Sequence, residues 1–144
     1  MVKIDKGCEA LKYTDIELMV LRRHLKISFQ EAAELIGRCS EEQWSAYEMG
    51  LATPPSDVLD RLAAVHKEFS KLFSEMSSET PTTLPAYAKL PEFKAFFGAD
   101  SSRLSWRVYH AVTHQLFVTH GFSLSIEIQT LPDDSPLLKI NRHL

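Results

Sequence analysis

The side chains best equipped to act on a partner crowd into one stretch of the N-terminal half. Arg22, Arg23, Lys26 and Arg38 are cations able to meet phosphate oxygens, and Ser28 and Ser40 are hydroxyls able to donate to them. Glu41, Glu42, Gln43, Ser45 and Ala46 follow, a run of carboxylate, amide, hydroxyl and methyl groups. A second group is His110, His114 and His120. The first two are four residues apart, which sets two imidazoles on one helical face toward a shared metal ion. No carboxylate or cysteine at helical spacing completes that site, so hydrogen-bonded histidines are expected and no metal is assigned. The sequence contains no phosphate-binding glycine loop, dinucleotide fingerprint or nucleophile elbow, so no enzyme activity and no cofactor are expected. Cys8 and Cys39 are too few for a disulfide framework and read as reduced thiols.

The elements that must position these residues are marked by helix-start signals in close succession. Thr14 with Glu17, Ser28 with Glu31 and Ser40 with Gln43 each have the spacing of a capping box. The three short helices so started carry apolar residues on one face: Leu18, Leu21 and Leu25; Ala32, Leu35 and Ile36; Trp44 and Tyr47. Gly37 and Gly50 are expected to stop the second and third helices in left-handed conformations. After Thr53-Pro54-Pro55 a long fourth helix is expected from Ser56 to about Ser78, on the period of Val58, Leu62, Val65, Phe69, Leu72 and Met76. The segment from Glu79 to Pro85 has two prolines and no helical period, and it is the expected boundary. Beyond it, helices are expected at Pro91–Phe97 and Ser105–His120. A strand within 122–131 follows, because Phe122, Leu124, Ile126 and Ile128 alternate with polar residues. Its partner is either the extended Leu84–Lys89 segment or a second copy of the chain. The tail from Pro132 is expected to be loose.

Leu21-Arg22-Arg23-His24-Leu25-Lys26, Glu31-Ala32-Ala33-Glu34-Leu35-Ile36-Gly37 and Trp44-Ser45-Ala46-Tyr47-Glu48-Met49-Gly50, in this order, resemble the Cro/C1-type (XRE-like) helix-turn-helix domain. The resemblance covers roughly residues 15–65. More narrowly, the chain is similar to the YdiL-like and anti-CRISPR-associated regulator group, with Leu104-Ser105-Trp106-Arg107-Val108-Tyr109 as the matching aromatic segment. The resemblance implies a mainly α-helical fold: a lambda-repressor-like helix-turn-helix domain with a C-terminal helical segment and a short strand. It also implies a buried ion pair between Arg22 and Glu48. The third helix would enter the major groove of DNA with Glu41, Glu42, Gln43, Ser45 and Ala46 toward the bases, while Arg22, Arg23, Ser28, Arg38 and Ser40 meet phosphates. Phe29 and Leu51 depart from the family's pattern, standing where polar or basic residues are usual. Arg38-Cys39 lengthens the turn.

Composition bounds these readings. The chain has 144 residues, 44% of them hydrophobic and 24% charged, with a formal net charge of −3. Residues 1–70 carry 9 Lys and Arg against 12 Asp and Glu, and residues 71–144 carry 7 against 7. Phosphate neutralisation supplies most non-specific affinity, so a strong indiscriminate nucleic-acid binder is not expected. Glu41 and Glu42 have two readings: base contact through cytosine N4, or simple placement at the positive end of a helix. No stretch is apolar enough to cross a bilayer, and the expected location is cytoplasmic. The expected organisation is residues 1–78 as the helix-turn-helix domain including the long fourth helix, and 79–144 as an aromatic dimerisation segment. The expected function is a sequence-specific transcriptional regulator of prokaryotic type, most readily a repressor, working as a homodimer on an inverted repeat of double-stranded DNA. The alternative is a protein-interaction module that retains the fold without binding DNA, which the acidic third helix would suit.

Overall fold

The computed structural model describes residues 13–144, and Cys8 lies outside the described residues. The fold is mainly helical. Helix α1 (Asp15–His24) opens on a reciprocal cap: Thr14 Oγ1 accepts from the Glu17 amide at 3.1 Å, and Glu17 Oε1 accepts from the Thr14 amide at 3.0 Å. Ser28 caps α2 (Phe29–Ala32) by accepting from the Glu31 amide, and Ser40 caps α3 (Glu41–Glu48) by accepting from the Gln43 amide. Each of these bonds satisfies an amide that has no partner inside its helix.

Helix α2 continues directly into a wider π-type turn over Ala33–Gly37, closed by the Cys39 amide donating to the Ala33 carbonyl. A π-turn absorbs an inserted residue, and it is here that Arg38-Cys39 lengthens the connection to α3. The left-handed residue is Arg38, with φ 51°, and not Gly37. Gly37 is required for a different reason. A Cβ there would stand 2.7 Å from Cys39 Sγ and 2.9 Å from Trp44 Cε3, so the absence of a side chain lets the α3 indole close against the turn. Gly50, with φ 75°, does follow α3 in the left-handed region.

The chain divides into two compact units that part at Ala63/Ala64. Helix α4 (Ser56–Ser77) contributes to both, and the proline-bearing segment after Ser78 merely follows its end. In the first unit Leu18, Leu25, Ile27, Ala32, Ala33, Ile36, Trp44 and Tyr47 are buried, with Val58 and Leu62 of α4.

In the second unit β1 (Thr83–Pro85) pairs in parallel with β2 (Ser123–Ser125), Leu84 opposite Leu124. The crossover between them holds α5 (Leu90–Phe97) and α6 (Arg103–His120), as a parallel pair requires. The partner of the strand is therefore within the chain. The strand is also shorter than the 122–131 alternation suggests, and Ile126 is 66% exposed. The cross-strand bonds run on to Ala86, whose amide donates to the Ser125 carbonyl at 2.9 Å, and Tyr87, at φ 42°, then turns the chain away. Side chains of α6 then grip the exit of β1: Tyr109 Oη donates to the Pro85 carbonyl at 2.7 Å and Trp106 Nε1 to that of Tyr87 at 2.8 Å. Tyr87, Phe93, Phe97 and Tyr109 pack ring against ring beneath this grip.

The tail is not loose. Leu131, Leu137 and Ile140 are buried, the last two in and beside a 3-10 turn over Pro136–Lys139. The Asn141 amide donates to the largely buried Glu68 carboxylate at 2.8 Å, and Ser105 Oγ donates to the Asn141 carbonyl at 2.7 Å. Three well-spaced apolar residues outweigh the aspartates and prolines that make 132–136 look like free linker.

Candidate functional site

The most elaborate polar cluster of the first unit lies behind α3. Arg22, near the end of α1, places Nε 2.6 Å from Glu48 Oε2 and Nη2 3.3 Å from Oε1, a two-point pair with the side chains 12% and 5% exposed. Trp44 Nε1, one turn before Glu48 on α3, donates to the same Oε2 at 2.6 Å. Arg22 Nη1 donates to the Ile27 carbonyl at 3.0 Å, and the Phe29 ring covers the guanidinium at 4.3 Å. Both partially buried charges thus have several partners, which removing either would leave uncompensated. The cluster ties α1, the start of α2 and α3 together, so the direction of α3 is set from behind.

On the other side of α3, Glu41, Glu42 and Gln43 are exposed and Ser45 and Ala46 half-buried, while Trp44 and Tyr47 face the core in an edge-on contact. Arg23, Arg38, Ser28 and Ser40 are exposed. Arg22 stands apart from them, because all three of its guanidinium nitrogens are engaged internally. Ser28 and Ser40 each use an oxygen lone pair on a helix-start amide, which leaves the O–H able to donate to an incoming phosphate oxygen. The rim holds both signs of charge: Glu34, Arg38 and Glu41 line one shallow hollow with Gln30 and Cys39. Burial pushes the Cys39 thiol up, against the pull of the Arg61 charge, so it is a protonated thiol at neutral pH.

Three contacts lay outside what the sequence showed. Trp44 and Glu48 are four residues apart, so their bond was available from helical spacing. Phe29 was visible only as a departure from a pattern. Arg61 had no signal: it is an ordinary i, i+4 partner of Asp57 in the sequence, yet its Nε donates to the Ile36 carbonyl in the turn before α3 at 2.6 Å.

The histidines of α6 lie in the second unit. His110 Nε2 is 3.0 and 2.9 Å from the Ala86 and Tyr87 carbonyls, both acceptors, so this nitrogen carries the proton and donates. Its ring stacks on that of His114 at 5.1 Å. Among the described residues no three His, Cys, Asp or Glu side chains are placed to share a metal ion.

With this geometry in view, residues 13–125 match the family model described as Aca2/YdiL-like. The chain belongs to the Aca2/YdiL-like family. A curated relative is the Aca2 repressor of Pectobacterium phage ZF40, 34% identical over 113 residues that cover 75% of this chain and 95% of that protein. The span common to the Aca2/YdiL-like family runs from the cap of α1 through β2. It therefore includes the ion-pair cluster, the outward face of α3 and the β1–β2 pair. The packed tail lies beyond it.

Proposed function

We propose that this member of the Aca2/YdiL-like family is a sequence-specific DNA-binding regulator of transcription in prokaryotic cytoplasm and acts as a repressor without enzymatic activity. The observation that carries the reading is α3: its Glu41, Glu42 and Gln43 face solvent while Arg22, Glu48 and Trp44 lock its inner side. A short helix held this way can enter a major groove in a fixed orientation. The relative's name, a repressor, supports the same reading. Glu41, Glu42, Gln43, Ser45 and Ala46 then face the bases. Arg23, Ser28, Arg38 and Ser40 meet phosphates, and Arg22, also expected at a phosphate, serves to hold α3. The chain acts as a homodimer on an inverted repeat, the second unit supplying the contact; Phe117, Val118, Ile126 and Leu138 are its exposed large apolar residues. Among the described residues no helix is long and apolar enough to cross a membrane.

One observation favours the alternative. The first turn of α3 presents Glu41 and Glu42 together, and carboxylates repel phosphates. A protein-interaction module would use this acidic face on a basic partner. Selection of duplexes from a random pool, followed by titration at two salt concentrations, separates the two. Enrichment of an inverted repeat with salt-sensitive affinity supports the regulator. Absence of any enriched duplex at low ionic strength replaces it with the interaction module.

A further inference from the structure

We infer that Arg61 is a positioning residue for α3: from the start of α4 it holds the π-turn on which α3 is aimed. Its Nε donates to the Ile36 carbonyl at 2.6 Å, while Nη2 is held 2.8 Å from Asp57 Oδ2 one turn earlier on α4. The planar guanidinium makes both bonds from one rigid fork. The Ile36 carbonyl sits in the last turn of Ala33–Gly37, where helix carbonyls lose their internal partners. Next to it, Gly37 meets the Trp44 ring so closely that a Cβ would not fit. Trp44 in turn donates to Glu48, and Glu48 takes Arg22. Asp57, Arg61, the turn, Trp44, Glu48 and Arg22 therefore form one contiguous set of contacts from α4 through α3 to α1. Within it Arg61 is the link between α4 and the turn, with a side chain 20% exposed. Without Arg61 the Ile36 carbonyl, in the last turn before α3, would lose this donor.

The role rests on the DNA-binding reading, and the test keeps the two apart. Affinity of the full chain for its selected repeat and for unrelated duplex is measured for wild type and Arg61→Ala, at a temperature where circular dichroism shows both folded. The specific-to-unrelated ratio should fall about tenfold, the size of one mismatched base pair, with the slope of log affinity against log salt unchanged. An equal loss on every duplex with the slope shallower by about one would overturn the inference, since Arg61 would then be a phosphate contact. An unchanged ratio would overturn it too, leaving Arg61 a role in stability alone. If Arg61→Ala does not fold, Asp57→Asn removes only the charge that aims the guanidinium. It should lower the ratio in the same direction, and no change would again refute the role. If wild type binds no duplex, the DNA reading fails and the Trp44 indole N–H resonance decides: a shift on Arg61→Ala with Trp106 unmoved supports the positioning role, and no shift ends it.

Discussion

At the scale of single residues, the Arg22–Glu48 pair concentrates the energetic risk of the first unit. Each charge is compensated by named partners, and burial would make either costly alone. Glu48→Gln keeps the shape but leaves Arg22 without its counter-charge, and we expect a loss of about 3 kcal/mol, read as a lower urea midpoint at constant slope. A near-neutral result would show that water reaches the pair. His24 gives a pH signature. Burial, with the Lys26 charge adding to it, holds its imidazole below the ordinary value of 6.5. The unfolded chain therefore takes up the proton first, so stability falls as pH drops through 6.5 toward the folded-state value and is unaffected above it. His24→Leu should remove that part of the acid loss in thermal melts between pH 7 and about pH 5. An unchanged profile would assign the loss to other groups.

At the scale of elements, the second unit is held as much by its tail as by its short sheet. A parallel pair of three-residue strands is too small to stand alone. Its β1 exit is fixed by Tyr109 and Trp106, and burial keeps the Tyr109 phenol well above its ordinary value, a donor at any working pH. The 3-10 turn then inserts Leu137, which is fully buried. Leu137→Ala should cost about 2–5 kcal/mol, as large-to-small changes at closed sites do. The prediction is checked by unfolding followed at Trp106. Full stability in that variant would mean that the tail only covers the unit and does not hold it. β2 stops at Ser125 because the segment opposite turns away at Tyr87, just past the Ala86 amide that donates to the Ser125 carbonyl.

At the scale of the whole molecule, charge and symmetry set the expectations. With a net charge of −3, affinity for DNA must come from few cations. Arg23 and Arg38 on each of two subunits would displace about four ions, a slope of log affinity against log salt of about −4, shallower than the roughly −10 of lac repressor. A single short recognition helix reads few base pairs, so paired half-sites about 34 Å apart are expected, with a dimer in sedimentation at micromolar concentration. A monomer under those conditions would reject the paired arrangement. Glu41→Ala with Glu42→Ala separates base reading from repulsion. Tighter binding to every duplex with unchanged preference would make these carboxylates a filter against non-specific DNA, whereas altered preference would make them readers.

The helices of this protein are legible in its amino-acid order, because caps and helical periods act over three or four residues. Thr14, Ser28 and Ser40 start α1, α2 and α3 through bonds to amides three positions on, and the apolar period of α4 is visible along its length. What depends on the approach of distant segments is absent from any local pattern. Gly37 is needed for the nearness of the Trp44 ring and not for its own backbone angle, a distinction no local pattern carries. Arg61 reaches a backbone carbonyl, and every residue has one, so the identity of Ile36 leaves no trace in the sequence. The extent of β2 was set by its partner, since a strand lasts only as long as the ladder opposite it. The tail was ordered by burial of Leu131, Leu137 and Ile140 and by the bonds of Asn141 to Glu68 of α4 and Ser105 of α6, partners far away in the sequence.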